Sequence, residues 1–268
     1  MIKKNLQIVI IPFLLICFGF QNPELSLDKS IPVKASFIST DDLGNVYVVK
    51  EDVLEKYDGK GNLLKTYSNK SFGKISSVDV SNLLKVILFY KDFSQVVFLD
   101  NTLSLNGEPI RLADIDLELA QLVCSSHDNG LWIYNQQNFE LIRLDQNLQK
   151  THQTGNINQL LQTEINPNFL MEYNNKVYLN NPSEGILVFD VYGTYYKTIP
   201  IKNLNEFQVH GDNLLYYSGN QLKSFNIKLL DEQMQSLPDS TAISVRLEKD
   251  KLFLLKKNSL DIYSVNQK

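Results

Sequence analysis

Cysteine is nearly missing from this sequence. There are two, Cys17 and Cys124, and Cys17 lies in an apolar N-terminal run. A chain that keeps only Cys124 forms no internal disulfide, so its stability must come from packing. Cys124 sits in the strand-like run Leu122–Cys124 and reads as a small buried hydrophobe. Tryptophan and methionine are scarce, one and three residues against 13 Tyr and 14 Phe, a bias that favours strands over helices. Basic charge is not in surplus. The formal net charge is −4, which argues against a nucleic-acid partner. Only three histidines occur, His127, His152 and His210, and none belongs to an HExxH pair. There is no GxSxG elbow and no P-loop. Asp41, Asp42 and Asp128 lack the alternating oxygen ligands and the closing Glu of a calcium loop. They read as turn formers.

What is present starts with a leader. Lys3 and Lys4 precede the apolar run Leu6–Ile16, which has signal-peptide length and is short for a bilayer span. Residues 1–19 are expected to be a signal peptide cleaved after Gly19, and residues 20–268 a single domain. Lipidation at Cys17 is the alternative, opposed by the bulky Ile16 where a small residue is usual. The chain is therefore expected in the periplasm or at the outer membrane.

The rest of the sequence repeats. A turn followed by aliphatic and aromatic residues occurs at Asn45–Val48, Lys85–Leu88, Gly130–Ile133, Lys176–Leu179, Asn213–Tyr216 and Lys251–Leu254. The anchors Tyr47, Ile87, Trp132, Tyr178, Leu215 and Phe253 are spaced by 40, 45, 46, 37 and 38 residues. That period, with four strands per unit, is the signature of β-propeller blades. A second pattern runs in phase. Ten to twelve residues after each anchor stand Tyr57-Asp58, Leu99-Asp100, Leu144-Asp145, Phe189-Asp190, Phe225-Asn226 and Tyr263-Ser264. Their polar residue can cap a turn by bonding backbone two residues on. Inner strands are predicted at 35–39, 75–80, 119–124, 168–172, 206–210 and 242–247. Outer strands are predicted at 63–67, 102–105, 148–151, 195–199 and 234–237.

The fold class is thus all-β, a six-bladed β-propeller with four strands per blade, a, b, c and d from the axis outward. The sixth unit stops after its strand c. Leu25–Val33, before the first strand a, is predicted to supply its outer strand and close the ring. A stack of β-sandwiches is the rival, and the two phased patterns oppose it.

Sites are sought where the units differ. Two d-to-a connections are read as long, Asn106–Glu118 and His152–Glu164, neighbours on the face that also carries the b-to-c loop Asn180–Gly185. The second holds Ile157, Leu160 and Leu161 at near-helical spacing. Pro109, Ile110, Leu117, Ile157, Leu160, Leu161, Asn181 and Pro182 are the candidate interaction residues. The plain alternative is ordinary solvated loops. On the inner strands Asp79, Asn166, Asn168, Glu172, Glu206 and His210 are the polar candidates, at no consistent position, and Arg246 is expected to balance a carboxylate. Tyr192, Tyr195, Tyr196, Tyr216 and Tyr217 suit packing or a carbohydrate platform.

Two phrases carry a resemblance. Thr40–Tyr47 and Ser126–Trp132 resemble the Asp-box hairpin S-x-D-x-G-x-x-W of sialidase-type propellers, where the box is structural. The Asp41–Val48 phrase also resembles NHL-type bacterial envelope propellers. The Lys-Lys leader and the bias to Asn, Ile, Leu and Lys look like a Bacteroidota envelope protein. The resemblance implies an accessory subunit of an envelope machine, such as the type IX secretion apparatus. The expectation is a non-enzymatic interaction module with protein partners in a membrane-associated complex, no cofactor and no metal. A metal-dependent lactonase-like hydrolase and a glycan- or ligand-binding propeller remain the alternatives.

Overall fold

The computed structural model describes residues 24–266. The expected signal peptide, residues 1–19, and Cys17 lie outside the described residues. Strand β1 spans Glu24–Pro32. Blade one is β2 (Phe37–Thr40), β3 (Val46–Lys50), β4 (Val53–Tyr57) and β5 (Leu63–Ser68). Blade two is β6 (Ser77–Asp79), β7 (Val86–Tyr90), β8 (Gln95–Leu99) and β9 (Ile110–Arg111). Blade three is β10 (Ala120–Ser125), β11 (Leu131–Asn135), β12 (Glu140–Leu144) and β13 (Lys150–Gln153). Helix α1 (Ile157–Leu161) follows, and then blade four, β14 (Phe169–Tyr173), β15 (Lys176–Asn181), β16 (Gly185–Asp190) and β17 (Tyr195–Ile199). Blade five is β18 (Gln208–His210), β19 (Asn213–Ser218), β20 (Gln221–Asn226) and β21 (Glu232–Ser236). Blade six takes β22 (Ser244–Glu248), β23 (Lys251–Leu255) and β24 (Ser259–Asn266), and β1 completes it in the order β1-β24-β23-β22.

The ring follows from side-chain alternation. On β3, Val46 and Val48 pack toward blade six, with Phe253 and Ile262, while Tyr47 and Val49 pack toward blade two, with Val86 and Leu88. On β11, Leu131 and Ile133 meet blade two, and Trp132 meets blade four. Period-two alternation presents each central strand to two neighbours. Both faces are buried, so strands b and c read as continuous apolar runs rather than alternating ones. Six apolar clusters fill the six gaps between blades, including the gap across the seam. Each fully buried Leu, Ile or Phe contributes about 1.5–3 kcal/mol of transfer free energy.

The turns between strands c and d share one device. Asp58 accepts the backbone N–H of Lys60 and Asn62. Asp100 does so with Thr102 and Ser104, Asp145 with Asn147 and Gln149, and Asp190 with Tyr192 and Thr194. Asn226 accepts from Lys228 and Leu229 in blade five. Asp41 makes the same bonds to Leu43 and Asn45 in an a–b turn, and also receives the Tyr47 hydroxyl. Leu103 and Leu148 take the left-handed position at φ 59° and 62°. That conformation is costly for a leucine. Leu103 is buried in the cluster between blades one and two, which offsets it.

The Asp-box phrase of blade three shows why a glycine stands in it. A Cβ at Gly130 would sit 2.1 Å from the Leu144 carbonyl oxygen. Asp128 accepts from the Gly130 N–H and pairs with Arg143 at 2.5 Å.

Two expected outer strands are corrected. In blade two, residues 102–105 are not strand d. They form the Asp100 turn, and only Leu105 bridges to Leu99. The chain then swings out through Gly107 to Pro109 and returns as β9. Asn106–Glu118 is therefore part c–d excursion and part strand, not one d-to-a loop. In blade three, Leu148 is the left-handed turn residue, and β13 begins two residues later than predicted.

Candidate functional site

The expected interaction residues lie mainly around the face that carries the d–a and b–c connections, but they do not form one exposed set. Leu117, Ile157 and Asn181 are buried. Leu117 and Ile157 anchor their loops in the interblade clusters. Asn181 accepts the Asn166 N–H and donates to Ser183. Pro109, Ile110, Leu161 and Pro182 are half-buried. Leu161 packs against the cluster that holds Trp132. Leu160 is the outward residue of α1, 50% exposed. Asn156 caps that helix by accepting from the Gln159 N–H.

Exposed apolar residues on this face were missed, among them Phe93 and Leu119, with Ile243 before β22 on the far side of the ring. Phe93, in the b–c loop of blade two, is 55% exposed, and Leu119, just before β10, is 48% exposed. The adjoining residues are tied together. Ser94 donates its hydroxyl to the Glu118 carbonyl at 2.6 Å and accepts the Leu112 N–H at 2.8 Å. Phe93 sits in the polar run Lys91–Ser94 and ends a 3-10 turn whose C-cap, Ser94, is left-handed.

The second region is the central channel, a cavity of about 590 Å³ lined by the six inner strands. At its d–a end Arg246 pairs with Glu206 at 2.5 Å and donates to the Phe207 carbonyl. Ser244 donates to the other oxygen of Glu206. Phe37, Val78, Leu122, Met171 and Phe207 add apolar wall. At the a–b end four carboxylates reach the mouth: Asp42, Asp79, Glu172 and Glu248. Asp79 accepts from Ser81 and twice from Ser125. Glu172 accepts from Trp132 and His127. Glu248 lies 4.0 Å from His210. Burial, then the charges of Asp42 and Asp41, push the Glu248 carboxyl up to about 7. Burial also lowers the His210 imidazole.

The channel thus gathers Asp79, Asn168, Glu172 and His210 of the expected polar residues, but not Asn166 or Glu206, which reaches it only by pairing with Arg246. Among the described residues no three His, Cys, Asp or Glu side chains are placed to hold a metal ion. Asp42 and Glu248 were not foreseen as mouth residues. Cys124 is buried, and burial raises its thiol well above the usual range. Of the tyrosines, Tyr192 and Tyr196 are exposed, Tyr216 is buried and Tyr195 packs on Phe189.

The sequence matches no protein-family model, and no curated protein matches it. Solved structures match it by fold. The WD40 domain of Neurospora crassa Pan2 superposes with a TM-score of 0.66 at 9% identity, over 92% of this chain and 97% of that one. The Staphylococcus aureus virginiamycin B lyase gives a TM-score of 0.60 at 11% identity, over 90% and 100%. The WD40 propeller of Doa1 gives 0.57 at 10%, over 90% and 97%. At such identities the likeness is one of fold. The chain is a six-bladed β-propeller.

Proposed function

We propose that this propeller is a non-enzymatic protein-interaction module of the bacterial cell envelope. Its place is the periplasm or in association with the outer membrane, as an accessory subunit of a membrane-associated complex such as a type IX secretion translocon. The observation that carries the interaction role is the set of apolar side chains on one face. Phe93, Leu119 and Leu160 stand exposed on blades two and three and on the connection to blade four. Large exposed apolar residues grouped on a surface mark docking sites in soluble proteins. The partner is a protein with an apolar patch of its own that seats these three side chains, ringed here by the exposed Lys91, Asp92 and Glu118. A chain of the mitotic checkpoint complex is similar in fold, with a TM-score of 0.63 at 9% identity, and fold-mates of that kind support a partner-binding role. The envelope assignment rests on the leader sequence.

A tagged pull-down from solubilised membranes tests it. The tagged protein should recover defined partners. The Phe93→Asp, Leu160→Asp double variant should keep its thermal transition and lose them. Leu161 is left alone, because it packs on the core. Retention of every partner by that variant, or recovery of the bait alone, overturns the reading.

A further inference from the structure

The acidic mouth on the opposite face has a feature its own fold does not use. Asp79 and Glu172 are occupied by hydrogen bonds from Ser81, Ser125, His127 and Trp132. Glu248 and Asp42 are not. Glu248 is 8% exposed and lines the cavity, yet its carboxylate accepts no hydrogen bond among the described residues. Its nearest charged partner is His210 at 4.0 Å, whose imidazole burial keeps neutral near pH 7. Asp42, on the a–b turn of blade one, also lines the mouth; it is exposed to solvent, and its charge acts on both His210 and Glu248. The Glu248 oxygens stay accessible from the channel, and partial desolvation with like charges nearby makes the ionised form costly.

The other charged groups define the sign of the site. Asp41 is buried and occupied by Asn45 and Tyr47. Arg246 is committed to Glu206. Lys249, a left-handed residue at φ 55°, is exposed but also lines the mouth, and its charge, with that of Arg246, offsets part of the carboxylate charge at Glu248. The mouth is therefore net acidic, over a channel wall that includes Val78, Leu122 and Met171. A cation with a methylene body suits that combination. A metal ion does not, since three ligating side chains do not converge.

We propose that the a–b mouth of the channel binds an organic cation, an alkylammonium or guanidinium group paired with Glu248 and Asp42, with its chain against the apolar wall. The ionised form of Glu248 is required, and the upward shift of its carboxyl makes binding fall with acid. The same chemistry reaches the site from a free amine or from a lysine or arginine side chain of a peptide.

Titration calorimetry on the full chain tests this with 1,5-diaminopentane, an end-capped lysine tripeptide and glutarate. At about pH 8 the diamine or the peptide should bind and glutarate should not. Binding should weaken by about tenfold or more at about pH 5.5, and likewise in Glu248→Gln and Asp42→Asn, since hydrogen bonds to charged groups carry that scale. Binding of the diamine assigns a free amine, and binding of the peptide alone assigns side-chain insertion. Either supports the site. No heat from either cation, binding of glutarate in their place, or unchanged affinity in both variants overturns it. Should one variant fail to fold, the other decides. The variants of the opposite face are not involved, so failure here leaves the partner-docking role standing.

Discussion

Trp132 of blade three donates its indole N–H to Glu172 of blade four at 2.7 Å. The same carboxylate accepts the backbone N–H of His127 at 3.0 Å. One inner-strand acid thus ties two neighbouring blades at the a–b face. Glu172 has only 5% of its side chain exposed, and the bond from Trp132 is partly buried while that from His127 stands at the surface. The aromatic position of the Asp-box phrase has a polar anchor as well as an apolar bed.

Replacing Glu172 by Ala should strand the indole N–H and lower stability by about 1.5–3 kcal/mol, the scale for hydrogen bonds to a charged group. Trp132 is the only tryptophan of the chain, so its fluorescence reports on this interface directly. In urea titration followed by that signal, the midpoint should fall. An unchanged midpoint would remove Glu172 from the list of interblade ties.

The seam gives a second expectation. β1 pairs with β24 from Glu24–Asn266 to Pro32–Ser259, and Asp28 accepts from Lys251 at 2.7 Å. Truncation through Pro32 exposes the edge of β24, and Ile31 leaves the cluster between blades six and one. Scanning calorimetry of the truncated chain should show a lower and broader transition and faster aggregation. A transition identical to that of the intact chain would mean that blade six needs no fourth strand.

Glu248 couples stability to pH. Its carboxyl is raised from an ordinary 4.5 to about 7 by burial and by Asp42 and Asp41. The folded state therefore holds its proton more tightly than the unfolded chain does. This contribution is fully present below about pH 4.5 and is lost as pH rises through about 7. Glu248→Gln keeps a neutral group there. It should stabilise the protein at pH 8 by on the order of 1–3 kcal/mol and change little at pH 4.5. Chemical denaturation at both values checks the sign, and a variant less stable at pH 8 would show that the carboxylate is held by favourable contacts.

Much of the fold was legible because its signals are local. Tyr47, Ile87 and Trp132 mark strands whose two faces are both apolar, and Asp58, Asp100, Asp145 and Asp190 bond backbone within four residues. Outer strands were harder to read. β5 and β13 are largely exposed, so their positions carry little apolar signature. In blade two the Gly107–Pro109 excursion moved strand d beyond the stretch that looked like it. At the proposed face, helical spacing did pick out α1, but spacing cannot tell Ile157, which is buried, from Leu160, which is exposed.

The sequence by itself determined the six-fold repeat, the closing role of the N-terminal strand and the turn chemistry. Each depends on alternation or on hydrogen bonds between near neighbours. Only the tertiary structure decided what meets at the channel mouth. Asp42 and Glu248 belong to the first and last blades, and ring closure alone brings the exposed Asp42 to the mouth where Glu248 is buried. Desolvation and like-charge repulsion arise there. They are properties of the closed ring, with no counterpart in the order of residues along the chain.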